Sequence, residues 1–337
     1  MKTAHTVRVT PGRCGLYETT REIVLALRND NIDARLVNTN VDFKGDVDRD
    51  VPVTTSEFID ECDVIVSHSG VSSEHEKTGK PIITVMHGSP AACFESERGG
   101  RVAGYTFFRT VGIRDQFKFF VTLWPEHVPY WEALIPEEKI RVAPSTVDLD
   151  RWTTEGRTDF GFNGAGGPIN VLCADSWRAD KDPYHVIHAF VLFAKQFPKA
   201  KLHIYGNPRE LKGWTPLLLH IRNKGNLGTV GGWVTGLDQA YRAADILITP
   251  HVVATRVMRE ALACGCTVVA GTNCQFTPYT ADPEDLTTYA MTMWRAYNDV
   301  CSKGEPLRAY NRSVARREFS LSRFAEAFIP ILDETVS

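Results

Sequence analysis

The stretch TPHVVATRVMREALACGCTVVAG, residues 249–271, decides the fold. It begins where the apolar run Ile246-Leu247-Ile248 ends, passes through a loop and takes up helical periodicity at about Thr255. It closes on a second β-branched run, Thr267-Val268-Val269-Ala270. Strand, loop, helix and strand in this order make one βαβ unit, whose two strands lie parallel in one sheet. Thr255 is a residue type favoured at helix N-caps, and the amides and dipole of a helix start suit a phosphate. Glu260 falls about one and a half turns into that helix. From the residues alone, two readings of its carboxylate stand. It accepts hydrogen bonds from a ribose diol, or it is a surface glutamate of an ordinary βαβ unit.

The same alternation extends outward in both directions. Upstream, short β-branched runs occur at 7–10, 34–37, 64–66, 82–85 and 120–123, with a helical pattern at 16–28. Runs of this kind, bounded by Gly, Pro, Asp or His, belong to parallel strands buried on both faces. The glycine-rich stretch RTDFGFNGAGGP, residues 157–168, breaks the pattern and reads as a loop or linker. A second series follows, with strands at 169–173, 202–205, 228–230, 246–249 and 267–270. Helices are expected at 183–196, 237–243 and 256–263, and the chain closes with helices at 283–301, 308–318 and 321–332. Two consecutive series imply two doubly wound α/β domains. The expected division is residues 1–150, joined by the returning helix 319–337, and residues 151–318, with ligands in a cleft between them. No internal repeat is visible.

Bulk properties agree. The 337 residues exceed what one core usually holds. Apolar residues make up 43% and charged residues 23%, an ordinary globular balance. Thirty-eight basic against 41 acidic residues give a net charge of −3, without the basic excess of a dedicated nucleic-acid binder. No stretch reaches the length of an apolar membrane span, and the start, residues 1–10, has no signal-peptide core and reads instead as a short first strand, so a cytoplasmic location, free or peripheral at the membrane, is expected. The eight cysteines form no C-x-x-C pair and read as reduced thiols.

Three further segments carry chemistry. In DSWRADKDP, residues 175–183, Arg178 and Lys181 stand three apart between a buried strand and a helix. Two cations there can neutralise a diphosphate leaving group, or they are solvated surface charge. Gly12 and Gly15 follow the first strand, where glycine lets backbone approach a ligand, although the full G-x-G-x-x-G pattern is missing. His87 ends a buried strand in VMHGSP, at the rim where ligands collect, and is either structural or part of a site. The aromatic-rich stretch 101–124, with Arg101, Arg109, Arg114 and Lys118, reads as core aromatics with solvated charges between them. Contact with anionic lipid or DNA is the sharper alternative.

Together these segments resemble the retaining GT-B glycosyltransferases of the family 4 type, the glycosyl transferases group 1. Glu260 to Val269 is similar to the family's E-A-(M/L)-A-(C/S)-G-x-P-V-V block. Arg178 to Pro183, followed by His188-Ala189-Phe190, is similar to its R-x-x-K segment. Lys201 to Gly206 resembles the strand ending in glycine, and Val147 to Trp152 the hinge between domains. The resemblance implies a metal-independent enzyme that binds a nucleotide sugar, UDP- or GDP-linked, and no other cofactor. It implies that Arg178 and Lys181 hold the donor diphosphate and that Glu260 holds the ribose. Thr255, Arg256 and Gly206 would line the donor site. Gly12 and Gly15 would approach a phosphate from the first domain, and His87 would lie near the transferred sugar. Trp233 and Val234 would meet the base, largely through backbone.

One departure stands out. The family's E-x7-E motif begins with a glutamate that reads the donor sugar, and the equivalent position here is Val252. Arg256 or His251 would have to substitute. A non-catalytic nucleotide- or glycan-binding protein, or a sugar-nucleotide epimerase on the same architecture, are the competing readings. The acceptor, whether glycan, lipid, small molecule or modified DNA, is not legible.

Overall fold

The computed structural model describes residues 1–7, 15–38, 46–48, 50–68, 75, 77–88, 117–158, 169–175, 183–206, 214–232 and 236–337, with backbone only at 38, 46–48, 214 and 215. The chain forms two compact units, Met1–Thr146 with Phe319–Ser337, and Val147–Glu318.

The first unit is built on β1 (Lys2–Val7), α1 (Gly15–Asn29), β2 (Asp33–Asn38), β3 (Asp46–Asp48), β4 (Val51–Thr54), α2 (Phe58–Glu61), β5 (Val64–His68), β6 (Ile82–Met86), β7 (Phe119–Thr122), α3 (Val128–Glu132) and β8 (Ile140–Val142). Its eight strands lie in the order β3-β4-β2-β1-β5-β6-β7-β8. All neighbours are parallel except β3 and β4. The chain winds outward from β1 through β2, then resumes on the other side at β5. The order therefore reverses between β1 and β5, which is the topological switch point of the sheet. Strands β5, β6 and β7 are buried along their whole length, as parallel strands covered on both faces must be. Phe120 packs against Trp131 of α3 with ring centroids 4.8 Å apart.

The second unit contains β9 (Asn170–Ala174), α4 (Tyr184–Gln196), β10 (Lys201–Tyr205), α5 (Trp214–Asn223), β11 (Leu227–Gly231), α6 (Leu237–Ala243), β12 (Ile246–Ile248), α7 (Arg256–Ala263), β13 (Thr267–Val269), α8 (Leu286–Lys303) and most of α9 (Glu305–Phe319). Five parallel strands lie in the order β11-β10-β9-β12-β13, so this sheet switches between β9 and β12. Its core runs through Val171, Phe190, Phe193, Leu202, Ile204, Ile246 and Tyr289. Arg312 of α9 donates to the carbonyls of Ala263 (2.6 Å) and Leu149 (2.8 Å), and so ties the start of this unit to the end of α7. The last helix, α10 (Leu321–Val336), belongs to the first unit and packs on α1. Ser320 caps it by accepting from the Arg323 amide, and Phe324, Phe328 and Leu332 recur every four residues on its buried side.

The first strand, expected within residues 1–10, is described at Lys2–Val7, and residues 8–10 lie outside the described set. Thr3, His5 and Thr6 made this run look polar, yet all three are buried. In the stretch 101–124, the described part follows the core reading. Phe117, Phe119, Phe120, Leu123 and Trp124 are buried, Lys118 is exposed, and residues 101–116 lie outside the described set. Six cysteines are free thiols among the described residues, five of them buried. Among those residues, no helix is long and apolar enough to cross a membrane.

One buried base makes stability sensitive to acid. His203 of β10 lies 3.1 Å from Asn170 Oδ1 through Nε2, and its Nδ1 accepts from the Thr229 amide at 3.2 Å. Both nitrogens are thus engaged as a neutral ring. Burial, and then the Lys201 charge, push its pKa from 6.5 down to about 4. Between those values the unfolded chain binds a proton that the folded chain refuses, so stability falls as pH falls, by up to about 1.4 kcal/mol per pH unit. Urea unfolding of His203→Gln should therefore show a shallower loss of stability from about pH 6.5 to about 4.5 than the parent. Equal slopes would count against this account.

Candidate functional site

In doubly wound sheets ligands bind beyond the carboxyl ends of the strands, at the switch point. In the second unit that point lies between β9 and β12. Asp175 follows β9, and His251 follows β12. Asp175 Oδ2 meets His251 Nε2 at 2.7 Å, with both side chains nearly buried. The pair bridges the switch point across 76 residues of sequence. The Asp175 amide donates to the Tyr205 carbonyl at 3.2 Å, which brings the end of β10 and Gly206 alongside. Gly206 has φ +115°, a conformation that glycine takes without strain.

The loop from Thr249 to Thr255 is held by buried groups. The Tyr289 hydroxyl accepts from the Thr249 amide at 3.2 Å and lies 2.8–2.9 Å from the Val269 and Thr249 carbonyls. Arg259, 2% exposed, donates to the Ala254 carbonyl at 2.8 Å. Gly271 lies against the same loop, and its amide donates to the His251 carbonyl at 2.9 Å. A Cβ on Gly271 would stand 2.3 Å from the Pro250 carbonyl oxygen.

Helix α7 starts from this loop. Thr255 occupies its N-cap, but the Thr255 side chain makes no capping hydrogen bond. Its Oγ1 is buried and has no hydrogen-bond partner among the described residues. Glu260 is 2% exposed, which removes the surface-glutamate reading. Arg256 Nε donates to Glu260 Oε1, and the Tyr241 hydroxyl donates to Oε2 at 3.3 Å. Burial first, and then the Glu260 charge, hold the Tyr241 hydroxyl far above its usual range, so it stays a proton donor. Both oxygens of Glu260 are thus already engaged. A carboxylate oxygen has two lone pairs, so each retains one acceptor site. Arg256 is likewise not a free cation, because its guanidinium is committed to Glu260 one turn along the helix. Val252 is half exposed and brings no carboxylate.

In the first unit, Gly15 opens α1. His87 follows β6 and is half-buried, with Nε2 at 2.8 Å from His68 Nδ1. His68 in turn contacts His5 across the β1–β5 switch point at 3.0 Å. Burial drives His5 from 6.5 down to about 3. His68 is lowered by burial and then by its two histidine neighbours. Among the described residues no three His, Cys, Asp or Glu side chains converge as a metal site.

The structure thus brings Thr255, Arg256 and Glu260 together with Asp175 and His251 in the second unit. Arg178 and Lys181 lie outside the described residues. Their loop leaves the carboxyl end of β9 at Asp175 and re-enters the fold at Pro183. Gly12, Trp233 and Val234 also lie outside the described residues. Sequence reasoning did not find Asp175 as the partner of His251, nor His5 and His68 as neighbours of His87. The only available signal was that each of these residues ends, or lies within, a β-branched run.

Comparison with known proteins places this geometry. Residues 168–295 match the family model described as glycosyl transferases group 1. No curated protein sequence matches the chain. Among solved structures, sucrose-phosphate synthase from Thermosynechococcus elongatus superposes with a TM-score of 0.74 at 15% identity, over 99% of each chain. A glycosyltransferase from Rickettsia africae ESF-5 gives 0.70 at 12% identity, over 100% of this chain and 98% of that one. HepE from Anabaena, in complex with UDP and glucose, gives 0.69 at 15% identity, over 99% of each chain. The chain therefore has the GT-B fold, with two Rossmann-like units, and the resemblance read from Glu260 to Val269 falls within the matched stretch.

Gly271→Ala should force the Pro250–Val252 backbone aside. It should destabilise the protein by about 2 kcal/mol, as overpacking does. Chemical denaturation would register the loss, and an unchanged midpoint would show that the loop is not clamped.

Proposed function

We propose that the chain is a glycosyltransferase that takes a sugar from a nucleotide-sugar donor and passes it to an acceptor with retention of configuration. The observation that carries this reading is the glycosyl transferases group 1 match over residues 168–295, the stretch that contains the start of α7 and Glu260. The first-turn amides of α7 from Arg256 onward, which the Thr255 side chain does not cap, and the helix dipole suit a donor phosphate. Glu260, fixed by Arg256 and Tyr241, accepts from the ribose hydroxyls with its remaining lone pairs. Arg178 and Lys181, from the loop after β9, meet the diphosphate as it gains charge in the transition state. Gly206 and the backbone at Trp233 and Val234 lie along the base. Gly12 and Gly15 approach a phosphate from the first unit, His87 meets the transferred sugar, and the acceptor docks on the first unit.

The bond that breaks is the anomeric carbon–oxygen bond to the diphosphate. The acceptor oxygen bonds to the same face, and its proton passes to the departing diphosphate oxygen. This route requires no separate general base and no metal ion. Uridine is the first base to test, because HepE from Anabaena has been crystallised with UDP and with UDP-glucose.

Val252 favours a second reading, a nucleotide-binding protein without transfer activity. An exposed valine stands where the family reads the sugar with a carboxylate. UDP release from UDP-glucose, with or without an acceptor, separates the two. The Arg178→Ala, Lys181→Ala double variant should then lose roughly 10²–10³-fold in turnover, as loss of oxyanion stabilisers does. Unchanged turnover in that variant would remove the assignment. If UDP, GDP, ADP and dTDP all fail to bind in calorimetry, both readings fall.

A further inference from the structure

A cavity of about 430 Å³ lies beside β13, the last strand in the order of the second sheet. That volume is within the range of small-molecule sites. The segment Pro278-Tyr279 passes the end of β13, where the Ala270 amide donates to the Tyr279 carbonyl at 3.0 Å. The carboxyl half of α8 and the start of α9 complete the border. One wall is a stripe of α8. Arg295, Asp299 and Lys303 are spaced four apart, so they share one face of the helix over about 12 Å. Tyr279, 2% exposed, and Leu307 form the floor. From α9 the Tyr310 ring, 48% exposed, and Pro306 stand at the mouth.

Along the wall the polar groups read donor, acceptor, donor. Asp299 Oδ2 accepts from the Tyr279 hydroxyl at 2.7 Å and meets Lys303 Nζ at 3.0 Å. These two partners hold the Asp299 carboxyl below the usual carboxylate range, so it stays an acceptor. Its Oδ1 has no hydrogen-bond partner among the described residues. Arg295 Nη2 donates to the Pro278 carbonyl at 2.8 Å, and its guanidinium carbon stands 5.6 Å from the Tyr279 ring centroid. A guanidinium carries five N–H donors and an ammonium three, so both cations keep donors for a ligand.

This wall selects among ligands. A bare anion reaches Arg295 and Lys303 only past the Asp299 carboxylate, which repels it. An apolar ligand would take water from three charged groups and return no hydrogen bond. A sugar hydroxyl both donates and accepts, so successive hydroxyls satisfy Arg295, Asp299 and Lys303 in turn. The C–H face of the same sugar suits the negative face of the Tyr310 ring. We propose that the cavity is a saccharide-binding site, with Tyr310 as its stacking platform and with Arg295, Asp299 and Lys303 reading the hydroxyls of a neutral glycan. It shares no residue with the donor loop Thr249–Thr255. On the transferase reading, such a site holds a stretch of acceptor or product glycan outside the donor site. That use rests on the transferase reading, whereas the saccharide site itself does not.

Calorimetric titration of the full chain with glucose, maltotriose, cellotriose and the N-acetylglucosamine trimer tests the proposal, each run with and without UDP. At least one trisaccharide should bind with a Kd of about 1 mM or tighter in both conditions. Hydrogen exchange should then slow in the peptides spanning 291–310. Tyr310→Ala should weaken binding roughly tenfold, and Tyr310→Trp, which keeps a ring, should retain it. Asp299→Asn should also weaken it roughly tenfold. No binding by any of the four saccharides, a stronger response to inorganic phosphate or to a decaproline peptide, or equal affinity in Tyr310→Ala and the parent would each overturn the saccharide site. UDP affinity should be the same in these variants as in the parent. Failure of UDP to bind the parent would count against the proposed transfer and leave the saccharide result to be read on its own.

Discussion

Everything in this molecule follows from the burial of parallel strands on both faces. Along β5, β6, β9 and β12 the backbone groups are spent on the ladder and the side chains are buried on either side, most of them apolar. Ligand chemistry has most room where the strands end and the loops diverge. Divergence is greatest at the switch point, where successive connections leave for opposite faces. Both sheets place a bonded pair of polar side chains across that point, His5 with His68 in one and Asp175 with His251 in the other.

The two pairs do different physical work. In the second unit the polar groups hold a loop in place. Asp175 orients His251, Arg259 fixes Ala254, and Tyr289 joins the ends of β12 and β13. Helix α7 therefore starts from a rigid support with its N-cap side chain unused. Glu260 and Arg256, four apart on that helix, would be worth little as an exposed pair. Burial changes this, because a carboxylate at 2% exposure requires its partners. The nucleotide-binding reading thus rests on a preorganised edge. In the first unit the polar groups line up from Thr3 through His5 and His68 to His87.

Helix α7 was legible to the residue, 256–263, because it is punctuated at both ends. Thr255 stands at its start, and Gly265, with φ +79°, follows its end. The buried β-branched runs of both sheets were legible for the same local reason. The first strand was read within residues 1–10, although Thr3, His5 and Thr6 break its apolar pattern. The short β3, β4 and β8 were missed, as was α5, because three or four residues carry no measurable period and α5 has no sharp start signal. Arg178 and Lys181 were singled out by their place between a strand and a helix, and lie outside the described residues.

By itself, then, the sequence determined the class of fold, two doubly wound α/β units, and the stretch that matches glycosyl transferases group 1. Periodicity and punctuation are local, and a buried parallel strand declares itself within five residues. Only the tertiary structure decided which polar groups meet. His251 and Asp175 are 76 residues apart, and His5 and His68 are 63 apart. Their contact depends on strand order and register, which no local pattern encodes. The same reason turned Glu260 from a possible surface charge into a buried carboxylate held on both oxygens, and His87 from a lone histidine into one of a line of three.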